Sequence, residues 1–256
     1  MLPLFKSDFS IGRSILTLEP PEKTKGGGAD SILDIALSND LNEIILVEDS
    51  LTGFLQAHKN SEALGLQLLF GLRISTCSDM KSNPKEAGRK DESKIIIFAK
   101  GDEGCKLLNQ IYSSAFTEGF GRVDYKNLKK LWADDLLLAI PFYDSFIFNN
   151  AMAFGNCIPD FSFAAPVFFI ENNSLPFDIA IQDKVKEYCL KKKYIIEETK
   201  SIYYNKREDL AAFQVYKCIC NRSFASGDVG LVNPRLEHCG SAEFSFESWK
   251  ECNEAS

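Results

Sequence analysis

The feature that most constrains this chain is an alternation of apolar, partly β-branched runs of strand length with amphipathic segments of helix length. After an opening run in "PLFKSDFSIG" (3–12), "NEIILVE" (42–48) precedes "TGFLQAHKNSEALG", and "LQLLFGLRI" (66–74) follows. "SKIIIFAK" (93–100) precedes "DEGCKLLNQIYSSAF", "DDLLLAI" (134–140) precedes "DSFIFNNAMA", and "PVFFIE" (166–171) precedes "DIAIQDKVKEYCLKK", with "YIIEETK" closing the series. Strands that are apolar throughout need cover on both faces, which parallel strands joined by right-handed helical crossovers provide. Six or seven such units without an evident edge strand favour a closed barrel over an open sheet.

Two segments fall outside the pattern. "TCSDMKSNPKEAGRKDE" (76–92) is charged, contains Pro and Gly, and reads as a long surface loop. From Asn205 onward, "NKREDLAAFQVYKCIC" reads as a helix followed by an irregular tail, too short to bury much of a core alone. The expected division is a barrel over 1–204 and an appendage over 205–256.

Composition narrows the functional classes. At 256 residues and 45% apolar content the chain is an ordinary core-forming protein. No apolar run approaches the roughly 20 residues of a membrane helix, and no basic region leads into a long apolar stretch at the N-terminus. A cytoplasmic protein with no membrane association is the expectation. The eight cysteines are dispersed with no Cys-x-x-Cys pair, so free thiols are expected. A net charge of −7 argues against general nucleic-acid coating. Locally, Lys184 to Arg207 holds eight basic and three acidic residues, and Lys191, Lys192 and Lys193 within it are a candidate phosphate-backbone contact beside the plainer reading of a solvated helix face.

Histidine is scarce: His58 sits in a probable helix and His238 in the irregular tail, which leaves no His-based zinc cluster and at most one His for any triad. "KTKGGGADS" sets three glycines before a helix whose N-cap would be Asp30, without the spacing of a P-loop or a dinucleotide fingerprint. Side chains at the C-terminal ends of parallel barrel strands point into a shared mouth. Asp8 after the first strand, Glu48 and Asp49 after the second, and Arg73 near the end of the third all qualify. Mixed charges there suggest ion pairs that need no metal for neutrality.

The order of these segments resembles the PHP (polymerase and histidinol phosphatase) domain at the N-terminus of the bacterial replicative DNA polymerase III alpha subunit. "FKSDFS" falls where that family has a His-x-His or His-Ser-Asp motif, and "ILVEDSLTG" looks like its strand ending in Thr-Asp-His. "GLQLLFGLRIS" resembles its Gly-(Ile/Leu)-x-Pro-Ile-x-Gly-x-Glu stretch, and "IIIFAKGDEGCKLLNQIYSSAFTEGF" its segment ending in Tyr-Thr-Glu-Gly-Phe. "EETKSIYYNKREDLAAFQVYKCI" is similar to the stretch through Asp-Val-His-Tyr into Asp-Ala-x-Ala-His, and "RLEHCGSAEFSFESWKE" to the polymerase segment just beyond. The resemblance implies an α/β fold, a distorted seven-stranded (β/α) PHP-type barrel with a small, mostly helical C-terminal appendage.

Intact members of that family hold two or three zinc or manganese ions and hydrolyse phosphoesters; others have decayed sites and act as scaffolds. Carried over by position, the first motif is Lys6 and Asp8, and the second keeps Asp49 but has Ser50 for its His. The Glu of the third is Arg73, and the Asp-x-His of the last is Ser201-Ile202-Tyr203. A polynuclear site needs several imidazoles and carboxylates at close range. The expectation is therefore no catalytic residue, no metal and no cofactor, with Lys6 and Arg73 paired to Asp8 and Asp49. The implied role is a structural or interaction module in DNA replication whose partners are a polymerase core, replication or proofreading proteins, nucleotidyl transfer lying in a segment beyond this one. The alternative is a metal-dependent phosphoesterase or nuclease with replacement ligands such as Glu48, Asp144 or Glu171. A third possibility is a cleft that binds an anion through Lys6 and Arg73 without turning it over.

Overall fold

The computed structural model describes residues 1–24, 26, 28–83, 90–220 and 241–254. Its strands are β1 (Leu2–Phe5), β2 (Glu43–Glu48), β3 (Gln67–Cys77), β4 (Ser93–Ala99), β5 (Arg122–Asp124), β6 (Leu136–Ile140), β7 (Val167–Ile170) and β8 (Ile195–Ile202). The helices are α1 (Pro21–Thr24), α2 (Ile32–Ser38), α3 (Phe54–Ala63), α4 (Gly101–Glu118), α5 (Tyr125–Leu131), α6 (Phe146–Met152), α7 (Asp178–Lys192), α8 (Leu210–Cys220) and α9 (Phe246–Glu254). Seven strands, in the order β2-β1-β8-β7-β6-β4-β3, close into a barrel through the parallel pairing of β2 with β3. The short β5 lies outside this ring, parallel to the far end of β3.

One strand departs from the expected all-parallel arrangement. β4 runs antiparallel to both of its neighbours, with Arg73 opposite Ile96 on one side and Phe98 opposite Leu137 on the other. The reason lies in the connection. β3 continues to Cys77, three residues past its expected end, and pairs Thr76 with Ser93, so the chain returns beside itself. The described residues between β3 and β4 contain no helix, and only a parallel return requires a long crossover.

The barrel strands other than β8 alternate their side chains between two largely apolar compartments, which is why those runs are apolar on both faces, whereas β8 (IIEETKSI) places Thr199 and Ser201 in register with inward Leu2 and Leu4. Leu4, Ile45, Val47, Ile96, Phe98, Ala139 and Phe169 point inward and plug the barrel. Phe5, Ile44, Leu46, Ile95, Ile97 and Phe168 face outward into the layer under the helices. Gly71 is inward-facing, and a Cβ there would come within 2.5 Å of the Phe98 ring. The missing side chain is thus the space Phe98 occupies.

Helix starts follow capping chemistry. Ser31, not Asp30, caps α2: its hydroxyl accepts from the backbone N–H groups of Leu33 and Asp34, while Asp30 is exposed and contributes its carbonyl to Thr17. Asp124 caps α5 and Ser145 caps α6 in the same way.

The described part of 205–256 is joined to the barrel rather than hung from it. β8 is the last barrel strand, and α9 covers the outer face of β1 beside it. Tyr204 bridges Ser245 in parallel, Tyr203 N–H donates to Phe244 O at 2.9 Å, and Phe246 N–H donates to Tyr204 O at 3.0 Å. Phe246 stacks on Phe5 at 5.9 Å, and the Trp249 indole donates to Met1 O at 3.0 Å. Phe244, Phe246 and Trp249 are buried in the same core as the barrel helices. Truncating Phe246 to Ala is expected to cost about 3–5 kcal/mol. Urea unfolding followed by fluorescence and circular dichroism should show this as an earlier midpoint of one shared transition; two separate transitions would show the two parts to be independent.

Candidate functional site

Chain geometry brings the expected positions to one end of the barrel. Lys6 directly follows β1, Glu48 and Asp49 end β2, and Asp144 and Glu171 follow β6 and β7. Arg73 lies within β3 as an inward residue two positions beyond Gly71. Lys94 reaches the same end for the opposite reason: β4 is reversed, so its N-terminal end is the one at the mouth.

At the centre is an ion-pair cluster. Arg73 donates from Nη1 to Asp49 Oδ1 at 3.1 Å, and from Nη2 to Asp144 Oδ2 in a short contact. Lys6 Nζ lies 3.3 Å from Asp49 Oδ2, near enough for an ion pair but out of line for a hydrogen bond. Lys6 and Arg73 are only 5% and 8% exposed, so these charges are held with little help from water. Burial alone would push the Asp49 carboxyl up, but Lys6, then Arg73, Lys94 and Arg13 outweigh it and hold the group well below the usual carboxylate range. Burial acts to lower the Arg73 guanidinium, and Asp49 and Asp144 more than reverse that. Lys94 is pushed down to about 8, first by burial and then by Arg73.

Asp8 does not join this cluster. It is exposed and makes no ion pair among the described residues. The turn after β1 wraps around Glu48, which accepts from Ser7 N–H at 2.8 Å and from the Ser10 hydroxyl in a short bond, and this carries Asp8 outward. Asp144 takes the place Asp8 was expected to hold. The Ser50 hydroxyl is shared with Thr52 Oγ1 at 2.5 Å rather than with the cluster. Ser201 serves Glu171, donating from its N–H to Oε2 at 2.9 Å and from its hydroxyl to Oε1 at 2.8 Å. Asn173 Nδ2 adds a third donor to Glu171 at 2.9 Å. Tyr203 belongs to an aromatic wall, stacked on Phe244 at 5.2 Å and on Phe213 at 5.8 Å.

These residues do not suit a metal. The two side chains at the centre of the mouth, Lys6 and Arg73, only donate, and a cation requires acceptors. Asp49 and Asp144 are bound by those cations, while Glu48 and Glu171, the other proposed replacement ligands, are bound by serine and asparagine donors. Among the described residues, no three His, Cys, Asp or Glu side chains are grouped to hold an ion. His58 lies on α3, stacked on Phe54, and His238 is outside the described residues.

The lysine run is elsewhere. Lys191, Lys192 and Lys193 are exposed at the end of α7, which leads into the start of β8 and so lies at the barrel end opposite the mouth. Lys191 pairs with Glu187 at 2.6 Å one helical turn back, and cations there also suit the helix dipole. Arg13 and Lys94 had no signal in the strand-end pattern, because one stands on the loop after β1 and the other at the beginning of a strand.

Fold and site together define a closed α/β barrel with an ion-paired mouth and a helical C-terminal region. No protein-family model matches the chain, and no curated protein matches it. Among solved structures it is similar to a "putative metal-dependent phosphoesterase" from Bifidobacterium adolescentis, with 16% identity, covering 45% of this chain and 35% of that one, at a TM-score of 0.25. The chain thus spans about a third of that protein, and a likeness of this extent carries no argument about chemistry. No helix among the described residues is long and apolar enough to cross a membrane.

Replacing Asp49 with Asn tests the cluster through pH. A carboxyl depressed in the folded state stabilises above its unfolded value, near 4, and that contribution is lost as pH falls. The difference in unfolding free energy between wild type and Asp49→Asn is expected to shrink steadily below about pH 4. Arg73→Ala removes the hydrogen-bonded cation from both Asp49 and Asp144, leaving Asp49 with Lys6, and is expected to cost about 3–5 kcal/mol at pH 7. Urea titrations across pH measure both.

Proposed function

We propose that this chain is a PHP-like barrel without a hydrolytic metal centre, acting as a structural or interaction module of a DNA polymerase III alpha-type protein in DNA replication. The observation that carries the scaffold half is the Arg73 fork. It engages Asp49, which stands at a metal-ligand position of the family resemblance, together with Asp144, a proposed replacement ligand. A guanidinium placed there opposes a divalent cation electrostatically and uses the oxygens a metal would need. The replication half is supported by the order of sequence segments resembling the alpha subunit, and by α9 packing against the barrel in the segment that resembles the start of the polymerase region.

Hydrolysis by replacement ligands has less support, because Glu48, Asp144 and Glu171 are each engaged by donors from this chain. Elemental analysis of the purified protein, with hydrolysis of bis(p-nitrophenyl) phosphate measured in added manganese or zinc, tests the scaffold reading. We expect no stoichiometric metal and no turnover. Bound zinc or manganese with activity that disappears in Asp49→Asn would overturn it. Co-elution with a polymerase III core on size exclusion tests the partner, and a consistent failure to co-elute would remove the replication assignment.

A further inference from the structure

The end of the barrel opposite the mouth carries inward-pointing side chains that are not covered. Register identifies them: Leu69 lies beside inward Ile45, Leu137 beside Phe98, Val167 beside Ala139, and Ile195 beside Val167. Leu137 is 44% exposed and Ile195 62%, while Leu2, Leu69 and Val167 are half-buried against the inner plug. Inward positions of a small barrel are ordinarily filled and closed over. Here the base of the plug presents hydrocarbon to solvent, and clustered apolar surface of this kind marks a contact face.

Charge is divided across this same face. Helices α2 and α3 end just before β2 and β3, which brings Asp40, Glu43 and Glu62 to that side, all exposed. Residues 38–43 and 60–67, which bound those two strands, include no lysine or arginine. Lys250 reaches Asn39 there from α9 and is offset by Glu254. On the side of β8, Lys192 and Lys193 exceed the one acid at the strand start, Glu197, Lys191 being paired with Glu187. Near β6 the charges balance, with Lys100 and Lys130 beside Asp134 and Asp135. In the ring, β8 is separated from β2 by β1, and from β3 by β7, β6 and β4.

A face with an apolar centre, one acidic side and one basic side is complementary to itself. A two-fold axis lying in its plane lays the basic side of one copy on the acidic side of the other and joins the two apolar centres, which is the condition for a closed dimer. Nucleic acid fits the same face less well, because its phosphates would meet Asp40, Glu43 and Glu62.

We propose that two copies of this chain associate base to base through Leu137, Ile195 and their neighbours, with Lys192 and Lys193 of each copy set against Glu43 and Glu62 of the other. Such a dimer leaves both mouths and both α9 helices outward. The inference goes beyond the scaffold reading and does not depend on the polymerase assignment.

Sedimentation velocity of the full chain at micromolar concentration and low salt should give the mass of two copies, and added salt should weaken the association. Leu137→Glu and Ile195→Glu, each at an exposed position, should leave the circular dichroism unchanged and raise the dimer dissociation constant at least about tenfold, since each buries a carboxylate in an apolar contact. Glu43→Lys with Glu62→Lys should weaken the dimer, as should Lys192→Glu with Lys193→Glu, and all four changes in one chain should restore it. A one-copy mass at every concentration overturns the proposal, as does a dimer that both glutamate variants leave intact, which would join through another face. Failure of the fourfold variant to restore association also overturns it. A one-copy chain that binds labelled duplex DNA, with binding lost in the Lys192→Glu and Lys193→Glu variant, would assign the face to nucleic acid instead. If either glutamate variant does not fold, the charge-reversal series still decides the question. The metal and hydrolysis measurements test the scaffold reading separately.

Discussion

The Arg73 guanidinium, forked between Asp49 and Asp144, is the interaction on which the barrel mouth depends. It joins the ends of β2 and β6 across β3 and β4, so strands that are not all neighbours are fastened at one point. Lys6 approaches Asp49 from β1 and brings a further part of the ring into the same cluster. Buried ion pairs of this kind are weak contributors to net stability, because desolvation offsets much of the attraction, but removing one partner strands the others.

The barrel below is held by apolar packing on two sides of one sheet. The inner plug and the outer layer under the helices use alternate residues of the same strands, and Gly71 opposite Phe98 shows how closely the plug is fitted. The C-terminal residues extend this arrangement. Phe246 on Phe5 and Trp249 on Met1 add cover outside β1, where the last barrel strand has no further crossover helix of its own. Fold and mouth are therefore coupled through β1: its outward Phe5 anchors α9, and the residue after it, Lys6, faces Asp49.

Much of the barrel was legible as hydrophobic pattern, since uniformly apolar runs separated by amphipathic ones admit few arrangements. The reversed β4 was not, because an apolar strand reads the same in either direction and only its pairing shows which way it runs. That reversal hid Lys94, which reaches the mouth from the start of a strand rather than its end. Asp8 was misplaced because spacing along the chain cannot show a turn folding around a buried carboxylate, here Ser7 and Ser10 around Glu48. Asp144 was visible as a carboxylate after a strand, but its bond to Arg73 spans 71 residues of chain.

The sequence by itself determined the strand and helix periods, the scarcity of histidine and the presence of Lys6 and Arg73 where the family resemblance has acidic or imidazole ligands. These are properties of residue type and local order, which a linear reading retains. Only the tertiary structure decided which carboxylates meet those cations, which way β4 runs, and that Lys6 is buried beside Asp49 as an ion pair without a hydrogen bond. Those facts depend on distances between residues far apart in the chain, set by barrel closure and by competition among buried donors for the same acceptors.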